Sequence, residues 1–182
     1  MKTSAFILAV LFASQLSPAW ASQSEVTLLR TVPSVDLSRY VGTWYEIARL
    51  PNRFQKDCAQ STAKYSLREE GKIDVLNSCR KLSDGSLKEA HGLAEVVDRD
   101  TNSKLRVIFT PGLIRWLGIG WGNYWIIELE PEYKYVVVSE PGREYLWILS
   151  RTPVMEKSVY EGILERLKAN GFDVSKLIHF SQ

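Results

Sequence analysis

The chain has 182 residues, a formal net charge of +2 and 45% hydrophobic residues. That suits one globular domain with a core of its own, and the near-neutral balance supplies no field for nucleic acid, so no nucleic-acid partner is expected. With only two histidines, a His-rich metal centre is excluded, and no metal or cofactor is expected.

Residues 1–21 read as a signal peptide. Lys2 gives a basic start, Ala5 to Leu16 an apolar run, and Ala19-Trp20-Ala21 a small-x-small cleavage site before Ser22. The run falls short of the roughly 20 apolar residues that span a bilayer. Residues 22–182 are then expected as an exported domain, soluble in the periplasm or secreted. No cysteine at the cleavage site offers a lipid-anchor position. Association with the outer membrane is the alternative.

After an extended arm and a turn or short helix over 33–40, Gly42 opens a run that alternates between two faces. Trp44, Glu46, Ala48 and Leu50 share one face; Thr43, Tyr45, Ile47 and Arg49 share the other. Alternation returns over 59–68, 73–77, 89–97 and 105–109, with turns at Glu70-Gly71, Ser83-Asp84-Gly85 and 98–103. Strands 123–130, 133–140 and 144–150 follow, joined at Pro131-Glu132 and Pro141-Gly142, and they are more continuously apolar, as when both faces are covered. The cover is an amphipathic helix in which Met155, Val159, Ile163 and Leu167 recur every four residues. Thr152 is placed as N-cap, Pro153 as first helical residue and Gly171 at the end. A short strand over 175–180 is expected as an addition to the sheet.

Eight consecutive antiparallel strands and one C-terminal helix predict an all-β, up-and-down barrel with the helix packed outside. Small residues at inward positions (Ala48, Ala59, Ala63, Ala90, Gly92 and Ala94) predict an enclosed space with a mostly apolar wall.

Cys58 and Cys79 are the only cysteines, and an even count in an exported chain favours a disulfide. Simple pairing about Glu70-Gly71 carries Cys58 several residues past the partner of Cys79. A bridge therefore needs a bulge or a bent strand start, and two reduced thiols are the alternative.

Three ordered motifs resemble those of the lipocalin family. They are Gly42-Thr43-Trp44-Tyr45-Glu46-Ile47-Ala48-Arg49-Leu50-Pro51, Gly122-Asn123-Tyr124-Trp125, and Tyr145-Leu146-Trp147-Ile148-Leu149-Ser150-Arg151. The second departs from the Thr-Asp-Tyr often found there. The resemblance covers about Val32 to Phe180 and is nearest to the Blc-type bacterial, plant temperature-induced and apolipoprotein D-like lipocalins. It implies a calyx that stores or carries a small hydrophobic ligand, a fatty acid or lysophospholipid, in the maintenance of membrane lipids. It also implies a barrel floor built from Gly42, Trp44 and Arg151, with the arginine across the tryptophan ring.

The expected ligand-binding wall is Glu46, Ala48, Ala63, Tyr65, Val75, Asn77, Leu105, Val107, Phe109 and Tyr124, with Glu46, Asn77, Tyr65 and Tyr124 as candidates to orient a head group. The connection 111–122 is expected at the mouth. Its Ile114, Trp116, Leu117 and Trp121 are unusual for a loop and either fold back over the rim or meet a membrane surface. Two further readings stand beside the carrier, which itself implies no catalysis: an enzyme using a cavity thiol at Cys79, or a ligand-free barrel that binds a partner. His91 reads as outward by parity, which leaves no axial ligand for haem. A monomer or weak dimer is expected.

Overall fold

The computed structural model describes residues 28–109 and 120–180. Among these, eight antiparallel strands run in order: β1 (Gly42–Arg49), β2 (Cys58–Leu67), β3 (Lys72–Lys81), β4 (Leu87–Val96), β5 (Lys104–Ile108), β6 (Gly122–Leu129), β7 (Tyr135–Ser139) and β8 (Leu146–Ser150). Each pairs with its sequence neighbour, and β1 also pairs with β8, so the sheet closes and its edges disappear. A two-residue strand, β9 (Ile178–His179), adds to the end of β1. A short helix, α1 (Leu37–Tyr40), precedes β1, and α2 (Lys157–Ala169) packs outside.

Alternation divides the apolar residues into two cores. Trp44, Ala63, Tyr65, Ile73, Val75, Ala94, Leu105, Ile126, Val136, Val138 and Leu149 meet inside the barrel. Ile47, Ala48, Leu50, Val137, Leu146 and Ile148 face outward beneath Ile163 and Leu167 of α2 and Phe172. This double use of β1, β7 and β8 is why their sequences read as continuous apolar runs. The helix ends as expected: Gly171 takes φ +81°, and Phe172 N–H closes on the Leu167 carbonyl at 3.0 Å. It begins later than expected, at Lys157, because the Thr152 hydroxyl is engaged with the Val154 carbonyl at 2.8 Å and caps no helix.

Two bulges correct the inward–outward assignment. The β1–β8 register shifts between Glu46 and Ala48, so Ile47 and Ala48 both lie outside and Arg49 turns in. Ala48 is therefore covered by the helix core and is no part of the inner wall. A second shift between Ala59 and Thr62, where Gln60 takes φ +48°, bends the start of β2. That bend supplies what the simple register lacked. Cys58 and Cys79 are bridged, with Cα atoms 5.5 Å apart across a separation of 21 residues, which contributes about 3 kcal/mol by restricting the unfolded chain.

The turns at 68–71, 97–103 and 130–134 and the start of β1 share one end of the barrel, which the arm seals. Val35 N–H donates to Thr101 O at 2.7 Å, Asp36 N–H to the Tyr133 hydroxyl at 2.8 Å, and Val32 N–H to Ile126 O at 3.0 Å. Arg151 locks this floor. Its guanidinium lies 3.7 Å from the centroid of the Trp44 ring and donates to the carbonyls of Thr43, Arg39, Tyr40 and Val41 at 2.6–3.1 Å. Gly42, at φ +97°, lets it pass: a Cβ there would stand 3.3 Å from Arg151 Nη1. Replacing Arg151 with alanine is expected to lower unfolding free energy by about 2–4 kcal/mol, from the lost ring contact and the freed carbonyls. Arg151→Lys should recover little of this, because a point charge cannot stack or fork; denaturant unfolding of both variants measures it.

Candidate functional site

The opposite end is the mouth, framed by the connections 50–57, 82–86 and 140–145 and by the flanks of 110–119. Ile114, Trp116 and Leu117 lie outside the described residues. Trp121, by contrast, stands on the outer wall, half-buried, with the Arg106 guanidinium 4.4 Å from its ring centroid. Gly122 and Tyr124 take the inward positions opposite Val107 and Leu105, so Trp121 falls on the other parity.

Glu46, Ala63, Tyr65, Val75, Asn77, Leu105, Val107 and Tyr124 share the inner wall, joined by the Phe109 ring near the mouth. Near the floor these positions are sealed. Toward the mouth Asn77, Ala90, Val107 and Trp147 are half-buried and Phe109 is 40% exposed. The Phe109 ring lies over Gly92, where a Cβ would come within 2.7 Å of it and 2.9 Å of the Ile108 carbonyl. Glycine there is what allows an aromatic ring to line the entrance. A separate polar depression of about 400 Å³, lined by Lys64, Asp74 and His91 among others, lies on the outer wall of β2–β4.

Among the described residues, three polar groupings stand within the barrel. At the floor, the Tyr124 hydroxyl meets those of Tyr40 at 2.6 Å and Tyr65 at 3.1 Å. Burial pushes all three phenols well above their ordinary range, so each stays a neutral donor and acceptor for the others. Tyr65 and Tyr124, expected to orient a head group, thus spend hydroxyl contacts on each other and on Tyr40.

Nearer the mouth, Glu46 and Arg49 form an ion pair, each 2% exposed. Arg49 also donates to the carbonyls of Gln55 at 2.8 Å and Cys58 at 3.0 Å, and stacks 4.4 Å from the Phe180 ring centroid. The Gln55 side chain reaches in from the loop. Its Nε2 donates to Glu46 at 2.6 Å, and its Oε1 accepts from Trp147 Nε1 at 2.8 Å. The loop after β1 is so tied to both β1 and β8.

The third grouping is Asn77 alone. Its neighbours across the sheet are Ala63 and Ala90, and its Oδ1 is enclosed with no hydrogen-bond partner among the described residues.

Sequence reasoning missed Arg49, Gln55 and Trp147. Arg49 was hidden by the bulge and Gln55 by its loop position. Trp147 was legible from its parity with Leu149, but lost in a run where both faces are apolar. With both cysteines bridged, no thiol is left for the enzyme reading built on Cys79.

This geometry agrees with comparison to known proteins. A family model described as a lipocalin-like domain matches residues 35–182. The chain belongs to the lipocalin family. The outer membrane lipoprotein Blc of Vibrio cholerae is 39% identical over 155 residues, covering 85% of this chain and 86% of that protein. Temperature-induced lipocalin-1 of Arabidopsis thaliana is 37% identical over 152 residues, covering 82% and 80%. Among solved structures, insecticyanin of the tobacco hornworm Manduca sexta superposes with a TM-score of 0.65 at 24% identity, over 85% of this chain and 84% of that one. The last likeness concerns the fold alone.

Two outcomes follow from the polar groupings of this lipocalin. Arg49→Ala is expected to cost about 3–5 kcal/mol by leaving Glu46 buried without its cation, while Glu46→Leu combined with Arg49→Met should cost far less; a double-mutant cycle by denaturant unfolding reads the difference. The floor phenols have folded pKa values above their unfolded value near 10, so their contribution is complete below that pH and is lost as pH rises further. Stability should therefore fall above about pH 10, and Tyr124→Phe should shrink that fall, as followed by phenolate absorbance during alkaline titration.

Proposed function

We propose that this lipocalin binds and carries a small hydrophobic molecule, a fatty acid or lysophospholipid, within the barrel, in the upkeep of membrane lipid. The observation that carries the reading is the change along the inner wall. Aromatic and aliphatic side chains seal the floor, while Val107, Phe109 and Trp147 offer apolar surface reachable from the mouth. An acyl chain laid there gains about 0.8 kcal/mol per buried CH₂ before ordering costs.

Export supports the same reading. The signal-like residues 1–21, a disulfide suited to an oxidising compartment, and relatives named outer membrane lipoprotein agree on a protein working outside the cytoplasm, in the periplasm or at the outer membrane. The apolar sequence of 111–122 suits peripheral contact with the membrane that holds the ligand. No helix among the described residues is long and apolar enough to cross one.

The test is displacement of a fluorescent fatty acid from purified mature protein, together with native mass spectrometry of protein taken from its own compartment. The expected outcome is saturable one-to-one binding, with a co-purifying monoacyl lipid. Absence of both would return the barrel to the ligand-free, partner-binding reading.

A further inference from the structure

We infer that one corner of the mouth rim, built from 53–57 and 80–88, is a docking surface for an anionic lipid bilayer, so that the barrel meets the membrane entrance first. This rests on the carrier reading above, because the membrane is then the source or the destination of the ligand.

Single exposed apolar side chains are ordinary on any surface; several together at one end are not. At this corner Phe54 is 55% exposed, Leu82 63% and Leu87 56%. Hydrogen bonds hold the segments that carry them together. Leu82 N–H donates to the Asp57 carbonyl at 3.3 Å, and Lys88 Nζ to that of Phe54 at 3.2 Å. The Asp57 carboxylate accepts from the Ser83 N–H at 2.9 Å and from its hydroxyl at 2.7 Å. Directly behind, the Cys58–Cys79 bridge ties β2 to β3. The loop after β1 and the β3–β4 hairpin thus form one platform with three apolar tips. Phe54 has the Tyr145 ring beside it, 5.9 Å between centroids. Leu82 and Leu87 leave more than half of their surface to solvent, so burial in this chain does not account for leucine at either place.

Charge selects the partner. The stretches 53–57 and 80–88 hold Arg53, Lys56, Arg80, Lys81 and Lys88 against Asp57 and Asp84, a net +3 where the whole chain carries +2. Both carboxylates are engaged within their turns, Asp57 with Ser83 and Asp84 with Ser86. Across the rim, 140–145 holds one arginine and two glutamates, and its Tyr145 is half-buried. Apolar tips and positive charge therefore coincide on one side of the entrance. A second copy of the chain is a poor occupant, because a two-fold contact would set +3 against +3. An anionic bilayer answers both features: its phosphates face the cations while the tips enter the interfacial layer. Phe109, 40% exposed over Gly92 of β4, lines the entrance on this same side. An acyl chain leaving the bilayer there meets apolar surface at once.

Flotation of purified mature protein with vesicles of phosphatidylcholine, alone or mixed with phosphatidylglycerol, tests this. Wild type should bind the mixed vesicles, bind the neutral ones at least about tenfold more weakly, and lose about tenfold as salt rises from about 0.05 to 0.5 M. Lys56→Gln with Lys81→Gln, and Leu82→Ser with Leu87→Ser, should each weaken vesicle binding about tenfold. Both pairs should melt close to wild type and hold a fluorescent fatty acid in solution within about twofold of its affinity. Trp116→Ser, within 111–122, should keep most of the rim-dependent binding. Equal binding to both vesicles, or loss with Trp116→Ser and not with the rim variants, would overturn the assignment. So would retention on heparin without vesicle binding, which marks the corner for an acidic macromolecule instead. Fatty-acid binding in solution without vesicle binding overturns the docking surface alone, whereas no fatty-acid binding overturns the carrier reading beneath it.

Discussion

The guanidinium of Arg151 on the indole of Trp44 is the contact that turns a row of strands into a vessel. A closed sheet has no exposed edges, but an eight-stranded tube still has two open ends, and an apolar interior flooded from both would lose much of its driving force. Arg151, at the end of the last barrel strand, reaches the first through Trp44 and collects the carbonyls of Thr43, Arg39, Tyr40 and Val41. One side chain thereby binds strand closure, floor and helix α1 together. The arm and the three phenols then fill the remaining space at that end.

With the floor sealed, the β-bulge in β1 places a buried ion pair near the mouth. Shifting register at Ile47 moves Arg49 inward beside Glu46 and frees Ile47 and Ala48 to pack beneath α2. The same irregularity thus serves both cores. A buried ion pair is weak as a source of net stability, yet once present it demands full satisfaction, and Gln55, Cys58 O and the Phe180 face supply it. The consequence is a loop after β1 held in place over the entrance, with Trp147 as its anchor on β8.

The sequence by itself determined the barrel, its strand order and the outer helix, because each rests on local signals, namely two-residue alternation, turn residues and a four-residue apolar repeat; the floor of Gly42, Trp44 and Arg151 was legible only through resemblance to a known family. It also named most of the inner wall, since parity holds wherever pairing is regular. Tertiary structure decided what parity could not carry. The bulges at Ile47 and near Gln60 insert residues without a sequence signature, reversing the faces of Ala48 and Arg49 and bringing Cys58 to Cys79. Likewise, whether Tyr65, Tyr124 and Asn77 have partners depends on which strands meet across the closed sheet. Such contacts join residues dozens of positions apart, and no periodicity along the chain records them.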